Sequence, residues 1–244
     1  MRILGIIPAR YGSSRFPGKP LIDLKGKTMI RRVVEGASKA SLLTDLVVAT
    51  DDERIVEEVT RFGGKVMMTD SKHPTGTDRC AEVLRNLDED YDVIINIQGD
   101  EPLVDARQLD QLLGAFTDPG VQIATLASRK IVLEDIQNPN RIKLVIDKDH
   151  RALYFSRSPI PNFVNAKGEP LEMYPFLRHI GLYAYRSEVL LQLSKLDETQ
   201  LEKIESLEQL RWLYNGYSIQ VVETEIETPN IDTPEDMEKV MRLL

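Results

Sequence analysis

The sequence predicts an α/β protein with three layers, a mostly parallel central sheet and a smaller inserted subdomain that carries a mixed sheet. Short apolar runs typical of buried strands alternate with segments whose apolar residues recur at helical spacing, the pattern of a parallel sheet covered by helices. From about residue 128 to residue 207 this rhythm stops, and aromatic residues, prolines and basic residues concentrate. We therefore expect residues 1–127 and 215–244 to form an α/β core and residues 128–214 to form the subdomain.

The elements of the core follow in order from this pattern. Residues 3–7 are an apolar run ended by Pro8, as expected for a buried strand that leads into a loop. Further strands are predicted at 46–49, 65–69, 93–97, 121–126 and 218–222. Apolar residues at helical spacing predict helices over about 29–37, from 55, over 81–87 and over 105–116, and Pro234 suits the first position of a last helix.

The subdomain is predicted to hold antiparallel strands. Residues 143–147 and 152–155 read as two strands joined by the turn 148–151, an antiparallel pair added to the parallel sheet. Residues 178–185 are a further strand in which polar and apolar residues mix. One helix is expected from about Glu202 to Tyr214.

Composition limits the classes of function. The 244 residues carry 39 acidic and 31 basic side chains and a formal charge of −8, so neither nucleic acid nor an anionic membrane is expected as a partner. Cys80 is the only cysteine, which excludes an internal disulfide and suits a reducing compartment. No apolar segment is long enough to span a membrane, and Arg10 interrupts the short apolar start, so we expect a cytoplasmic protein.

The loop after the first strand combines positive charge with a flexible backbone, the chemistry of a polyphosphate site. Gly12 and Gly18 allow backbone N–H groups to approach a ligand closely. Guanidinium and ammonium groups supply charge for phosphate oxygens, and serine hydroxyls add donors. The alternative is an ordinary solvated basic loop. The cationic and hydroxyl-bearing residues are Arg10, Ser13, Ser14, Arg15 and Lys19.

The same loop does not match the common nucleotide-binding motifs. Five residues separate Gly12 from Gly18, and Pro20 stands where a P-loop has its magnesium-binding hydroxyl, so a P-loop NTPase is disfavoured. No Gly-x-Gly-x-x-Gly sequence follows the first strand, which also disfavours a dinucleotide-binding protein.

Two carboxylates, Asp100 and Glu101, follow the most apolar predicted strand. Pro102 keeps the preceding residue out of the helical region, so the acidic pair is expected in an extended or turn geometry. A hard oxygen ligand near a cationic triphosphate loop implies Mg²⁺, which takes only one or two protein carboxylates. The alternative is that Asp100 merely caps the helix that begins near residue 105.

A second polar loop, residues 75–79, enters the helix that contains residues 81–87. The amino end of that helix offers free N–H groups. The alternative is plain helix capping by Thr77.

Three motifs carry a family resemblance. They are residues 7–21, the segment Asn96-Ile97-Gln98-Gly99-Asp100-Glu101-Pro102 and the segment Tyr154-Phe155-Ser156-Arg157-Ser158-Pro159-Ile160-Pro161. Together they resemble the 3-deoxy-manno-octulosonate cytidylyltransferases, or CMP-Kdo synthetases, over essentially the whole chain. The resemblance implies a Rossmann-like core of the nucleotide-diphospho-sugar transferase type, in which the core binds the nucleotide and residues 128–214 serve sugar binding and dimerisation.

The resemblance implies an enzyme that activates 3-deoxy-D-manno-octulosonate (Kdo) with CTP, giving CMP-Kdo and pyrophosphate for lipopolysaccharide biosynthesis. It also implies Mg²⁺ as cofactor and a homodimer, for which residues 154–185 could supply the surface. The alternatives are CMP activation of 8-amino-Kdo or a sialic acid, or a non-catalytic nucleotide-binding protein. Retention of Arg15, Lys19, Asp100 and Asp232 together argues against the non-catalytic alternative.

Site residues follow from matching positions. The resemblance implies catalytic roles for Arg10, Arg15, Lys19 and Asp100, with Asp100 and Asp232 as magnesium ligands; Asn230 departs from the glycine usual there, and its turn is expected to survive. For the nucleotide it implies Pro8, Ala9, Arg10, Ser13, Lys19, Thr75, Gly76, Thr77, Arg79, Gln98 and Gly99. For the sugar it implies Arg157, His179, Tyr183, Glu208 and Gln209, where a guanidinium can hold the carboxylate. Without the resemblance, His179 would be interpreted as a buried structural histidine and Glu208 as a solvent-exposed carboxylate on a charged helix face.

Overall fold

One sheet forms the centre of the chain in the computed structural model, which describes residues 1–12, 16–165, 167–231 and 234–244. The strands are β1 Ile3–Ala9, β2 Asp45–Thr50, β3 Val66–Met68, β4 Val93–Asn96, β5 Ile123–Ser128, β6 Lys143–Ile146, β7 Ala152–Ser156, β8 Leu177–Arg186 and β9 Ile219–Glu223. Their order in the sheet is β3-β2-β1-β4-β8-β5-β9, and β6 joins through β8 while β7 pairs with β6.

The sheet is mostly parallel, as predicted. Strands β1 to β4 run parallel to one another, and β9 runs parallel to β5. Strand β8 is antiparallel to both of its core neighbours, β4 and β5. The predicted hairpin is confirmed as the antiparallel pair β6–β7. Strand β6 joins the sheet by antiparallel pairing with the first two residues of β8, Leu177 and Arg178.

Helices cover both faces of the sheet. The helices are α1 Met29–Ala37, α2 Glu53–Arg61, α3 Gly76–Asn86, α4 Ala106–Gly114, α5 Leu133–Gln137, α6 Pro170–Met173, α7 Ser187–Leu193, α8 Gln200–Glu205, α9 Gln209–Tyr214 and α10 Pro234–Leu243. Residues alternate along β1, so that Leu4 and Ile6 pack into one apolar cluster with α3, α7 and α9, while Ile3 and Ile7 pack into the other with α1, α2 and α4. Among the described helices, none combines the length and apolarity needed to cross a membrane.

The prediction of one helix from Glu202 to Tyr214 is wrong, because two short helices occupy this region. Helix α8 begins with a capping box of Thr199 and Glu202 and ends at Ser206, which has a left-handed backbone (φ 51°, ψ 50°). The guanidinium of Arg157 meets the carbonyls at this end: its Nε donates to the carbonyl of Glu205 at 2.6 Å and its Nη2 to that of Ser206 at 3.2 Å. A cation that satisfies the last carbonyls stabilises the break.

Candidate active site

Lys19 and Asp100 form the centre of the candidate site. Gly18 has a left-handed backbone (φ 72°) that turns the chain into the short 3-10 helix Lys19–Leu21. The ammonium of Lys19 then lies 2.8 Å from Oδ2 of Asp100 and 2.7 Å from the carbonyl oxygen of Ile231. The lysine side chain is 14% exposed and the aspartate side chain 28% exposed, so the pair is shielded but open to a ligand.

Asp100 does not cap the following helix, so that alternative is wrong. The N-cap of α4 is Asp105, whose carboxylate accepts a hydrogen bond of 2.9 Å from the backbone N–H of Arg107. The carboxylate of Asp100 is therefore left for Lys19 and for a ligand.

Three of the proposed site residues, Ser13, Arg15 and Asp232, lie outside the described residues. Ile231, which precedes Asp232 in the sequence, is hydrogen-bonded to the Asp100 loop: its N–H donates to the carbonyl oxygen of Asp100 at 3.0 Å. The side chain of Ile231 is fully buried in a small apolar cluster with Leu24, Met29 and Val240. The segment that leads into Asp232 thus contacts the Asp100 loop directly.

The loop around Asp100 is packed tightly against the end of β1. A Cβ added at Gly99 would lie 2.6 Å from the carbonyl oxygen of Pro8, a distance that requires glycine at this position. Glu101 is buried behind the loop, and burial together with the charge of Asp100 raises its pKa to about 7. Its Oε2 accepts a hydrogen bond of 3.0 Å from the hydroxyl of Thr228.

A polar cavity of about 160 Å³ opens beside this loop. Among the described residues, six buried side-chain nitrogen or oxygen atoms have no hydrogen-bond partner, and five of them belong to residues that line the cavity: Asn96, Tyr183, Tyr185, Gln209 and Trp212. Buried polar atoms are normally paired, and leaving one unpaired costs roughly 1–3 kcal/mol. The cavity is therefore built for a ligand with many hydrogen-bonding groups. Its remaining lining residues are Pro8, Gly76, Thr77, Gln98, Gly181 and Glu208.

Thr77 and Glu208 meet at the wall of the cavity, across the two predicted units. The hydroxyl of Thr77 lies 3.1 Å from Oε2 of Glu208, and burial raises the pKa of Glu208 to about 7. Capping of α3 falls to Thr75, which accepts from the backbone N–H of Asp78 at 3.1 Å, so the capping alternative for Thr77 is wrong. The expectation that Glu208 defaults to solvent is also wrong, because the carboxylate is half-buried and paired.

His179 lies behind the cavity. Its Nε2 is 3.0 Å from the hydroxyl of Thr125, and its ring packs edge-on against Phe155 at 5.1 Å and beside Tyr183 at 5.3 Å. Desolvation, followed by the charge of Arg178, lowers the pKa of His179 to about 3. The imidazole is therefore neutral at physiological pH and supports the ring of Tyr183.

Arg157 does not line the cavity. Its guanidinium donates to the carbonyls of Glu205 and Ser206 at the end of α8, and its Nη1 donates to the carbonyl of Pro139 at 3.0 Å. All three guanidinium nitrogens are thus used within the protein.

Arg10 and Arg79 lie on the other side of the β1 end. Arg79 is fully buried, and its guanidinium contacts Thr69 and Asp51, with 3.0 Å from Nη2 to Oδ2 of Asp51. Arg10 donates to the carbonyl of His73, and desolvation with the charge of Arg79 lowers its pKa. Both arginines hold the loop that leads to Thr75, while Ala9 is buried at the end of β1.

Sequence reasoning missed Asn96, Tyr185 and Trp212 as site residues. Periodicity could have found two of them. Tyr185 lies two positions from Tyr183 in a strand and shares its face, and Trp212 lies three positions from Gln209 in a helix. Asn96 stands at the end of β4, opposite Tyr183 in the register.

Comparisons with known proteins agree with this geometry. A family model described as Cytidylyltransferase matches residues 4–224. Proteins named 3-deoxy-manno-octulosonate cytidylyltransferase from Parabacteroides distasonis and Bacteroides thetaiotaomicron are 51% and 50% identical, each over 100% of this chain and 98% of the relative.

Solved structures give the same result. A structure of CMP:2-keto-3-deoxy-manno-octonic acid synthetase complexed with CTP superposes with a TM-score of 0.92 at 43% identity, covering 100% of this chain and 98% of that one. At 16% identity, 4-diphosphocytidyl-2C-methyl-D-erythritol synthase from Anaerococcus prevotii shares the fold alone, with a TM-score of 0.65 over 99% of this chain and 95% of that one. The chain belongs to the cytidylyltransferase family and, within it, to the 3-deoxy-manno-octulosonate cytidylyltransferases.

Proposed function

We propose that this chain transfers a cytidylyl group from CTP to Kdo, giving CMP-Kdo and pyrophosphate. The observation that carries the proposal is the polar cavity beside the Lys19–Asp100 pair, in which five residues present unpartnered hydrogen-bonding atoms. A polyhydroxylated sugar acid offers the donors and acceptors that such atoms require. The relatives and the CTP complex described above are proteins named for this reaction.

The reaction is an attack of the sugar's anomeric hydroxyl on the α-phosphorus of CTP, with pyrophosphate as the leaving group. Such transfers gain most from positioning and from neutralisation of charge on the phosphates. The ammonium of Lys19, fixed at 2.8 Å from Asp100, supplies positive charge on a short, rigid turn. We propose that Arg10, Arg15 and Lys19 stabilise the departing pyrophosphate, and that Ser13 and the loop from Thr75 to Arg79 serve the nucleotide.

Asp100 fits a magnesium ligand by its chemistry. Its carboxylate is accessible, is not used for capping, and lies beside a cation rather than in an apolar pocket. Mg²⁺ takes few protein carboxylates and completes its shell with phosphate oxygens and water. We propose that Asp100 and Asp232 hold this ion. When bound, it neutralises phosphate charge and lowers the pKa of the attacking hydroxyl.

The sugar is proposed to occupy the cavity itself. Tyr183, Glu208 and Gln209 line it and offer a hydroxyl, a carboxyl and an amide to the sugar hydroxyls. His179 acts through Tyr183, against which it packs. Binding of the sugar carboxylate by Arg157 remains a prediction. To make that contact, the guanidinium would have to release one of its three carbonyl partners.

We propose a cytoplasmic homodimer that forms through the inserted region. Exposed apolar side chains in and next to the stretch 154–185 support this surface: Leu153 is 60% exposed, Val164 82% and Met173 55%. Light scattering should give twice the chain mass of 27.7 kDa. A monomer mass would contradict the dimer and leave the reaction untouched.

Pyrophosphate release tests the reaction. The purified chain is incubated with Mg²⁺, each of the four nucleoside triphosphates, and Kdo, 8-amino-Kdo or a sialic acid. Release with CTP and Kdo alone supports the proposal. Release with 8-amino-Kdo or a sialic acid in place of Kdo reassigns the substrate, and CTP binding without release with any sugar acid contradicts an enzymatic role.

A further inference from the structure

A buried glutamine on α4 contacts the segment that runs from β9 to the Lys19–Asp100 pair. We call residues 224–231 the C-terminal strap. Gln108 is 0% exposed and lies among the leucines of the apolar face of α4. A primary amide buried in such surroundings costs free energy unless both of its ends are hydrogen-bonded. Its Nε2 donates to the carbonyl oxygen of Ile226 at 2.9 Å, and its Oε1 lies 3.4 Å from the hydroxyl of Thr228.

The hydroxyl of Thr228 connects the Gln108 amide to the Asp100 loop. It lies 3.0 Å from Oε2 of Glu101, the buried neighbour of Asp100. The Thr228 hydroxyl has one proton, which is shared between Oε2 of Glu101 and the more distant Oε1 of Gln108. Gln108, Thr228 and Glu101 therefore form one polar network. The network joins three parts of the chain: helix α4, the C-terminal strap and the Asp100 loop.

The last residue of the C-terminal strap contacts the Lys19–Asp100 pair. The N–H of Ile231 donates to the carbonyl oxygen of Asp100 at 3.0 Å, and the carbonyl oxygen of Ile231 accepts from Lys19 at 2.7 Å. A shift of the strap would move the carbonyl against which the Lys19 ammonium is held. Displacements of about 1 Å in a reacting arrangement can cost about a hundredfold in rate.

We propose that Gln108 is a positioning residue for nucleotidyl transfer, which holds Ile226 and Thr228 and thereby fixes Ile231 and the ammonium of Lys19 against Asp100. The inference rests on the proposed function, because that function gives Lys19 and Asp100 their part in the reaction. Gln108 itself is fully buried and is not among the residues that line the candidate cavity.

The beginning of the same strap offers a matched control. There Thr224 donates from its N–H to the carbonyl of Ala127 at 2.8 Å, and its hydroxyl lies 2.8 Å from Oε1 of Gln111. Gln111→Leu removes this one hydrogen bond between helix α4 and the strap, and the Thr224 hydroxyl still accepts from the N–H of Ile226 at 3.1 Å. The variant should lower stability slightly and leave the contacts of Ile226 and Ile231 in place.

The test compares Gln108→Leu, Thr228→Val and Thr228→Ser with Gln111→Leu. Pyrophosphate release with CTP and Kdo gives kcat and both KM values, and hydrogen exchange reports on residues 224–231. Gln108→Leu and Thr228→Val should lower kcat about ten- to a hundredfold, leave KM for Kdo within about twofold, and speed exchange at the Ile231 amide. Thr228→Ser, which keeps the hydroxyl, should behave as the wild type, and Gln111→Leu should keep kcat within about twofold.

Either of two results for folded Gln108→Leu overturns the proposal: wild-type kcat, or unchanged exchange at Ile231. If Gln108→Leu does not fold, Thr228→Val decides by the same two measurements. A loss of kcat in Gln111→Leu equal to that in Gln108→Leu also overturns it, since general destabilisation would then explain both. The wild-type chain is assayed first: no pyrophosphate release there contradicts the proposed function, while exchange at Ile231 still shows whether Gln108 holds the strap.

Discussion

Thr77 and Glu208 are joined by a hydrogen bond of 3.1 Å although 131 positions separate them. Thr77 belongs to the loop predicted for the nucleotide, and Glu208 belongs to the region predicted for the sugar. Their contact lies in the wall of the cavity, whose lining draws on both regions. The boundary between the two predicted substrate regions therefore coincides with a half-buried, titratable carboxyl group.

The position of Glu208 predicts a pH dependence of stability. Burial raises its pKa from the ordinary 4.5 to about 7, so the folded chain holds this proton where the unfolded chain has released it. The free energy of unfolding should then fall as pH rises from about 4.5 to 7, by about 3 kcal/mol from this group. Urea unfolding of Glu208→Gln across that range should show a shallower decline than the wild type.

Glu101 provides the comparison for that measurement. Its pKa is also raised to about 7, by burial and by the charge of Asp100. A decline should therefore persist in Glu208→Gln and shrink again when Glu101→Gln is added. Identical slopes in the wild type and Glu208→Gln would contradict the assignment of a buried proton to Glu208.

The Lys19–Asp100 pair predicts a loss of turnover without a loss of fold. Lys19→Ala removes an ammonium from the proposed phosphate site, and Asp100→Asn removes the charge that the proposed ion requires. Each should lower kcat by about a hundredfold or more, by analogy with other lost transition-state donors. The measurement is pyrophosphate release, with circular dichroism to confirm the fold.

Lys27→Ala is the control for this prediction. Lys27 also pairs with a carboxylate, Oε2 of Glu35 at 2.5 Å, but both side chains are more than a third exposed. Surface pairs of this kind contribute about 0–1 kcal/mol, so turnover and stability should stay near wild type. Near-normal turnover in folded Lys19→Ala would remove the lysine from the mechanism.

The central strands β1, β4 and β5 could be predicted from the sequence because they are buried on both faces. Strand β4 reads as a continuous apolar run. Asp100 could be placed at the site for the same reason, since the carboxyl ends of neighbouring parallel strands meet at one edge. Both predictions depend only on local sequence patterns, an apolar run and the polar residues that follow it. The expected end of β1 at Pro8 is wrong, because the strand continues through Pro8 to Ala9 and both residues pair with β2.

The break after Ser206 could not be predicted in this way. Helical periodicity continues through residues 202–214, and what ends α8 is a cation about fifty positions earlier, Arg157, whose Nε donates to the carbonyl of Glu205. The environment of His179 is likewise set by Phe155 and Thr125 from other strands. Tertiary contacts of this kind leave no trace in local spacing.

Arg157 predicts a stability effect that separates its two roles. Arg157→Met removes hydrogen bonds to three carbonyls, two at the end of α8 and one at Pro139. These carbonyl oxygens would then lack the donor that Arg157 supplies. The free energy of unfolding should fall by roughly 2–4 kcal/mol. Urea unfolding measures this loss, and KM for Kdo, measured well below the unfolding temperature, tests the predicted contact with the sugar carboxylate. Full stability in Arg157→Met would contradict the structural role.

Tyr185 predicts the opposite combination, a loss of activity without a loss of stability. Its hydroxyl is buried in the cavity wall without a hydrogen-bond partner among the described residues, so the free protein already bears the cost of desolvating it. Tyr185→Phe should leave the free energy of unfolding unchanged or raise it by about 1 kcal/mol, because it removes only that unpaired group. If the sugar pairs with the hydroxyl, kcat/KM for Kdo should fall by about tenfold, which pyrophosphate release measures.

Tyr91→Phe is the matched control for Tyr185→Phe. The Tyr91 hydroxyl donates to Oδ2 of Asp45 at 2.9 Å and lies outside the candidate cavity. Its removal should lower stability by about 1 kcal/mol and leave kcat/KM unchanged, the reverse of the result at Tyr185. If both variants lose stability alike and keep full activity, the unpaired hydroxyl of Tyr185 is not reserved for a substrate, and the cavity would need another occupant than the sugar.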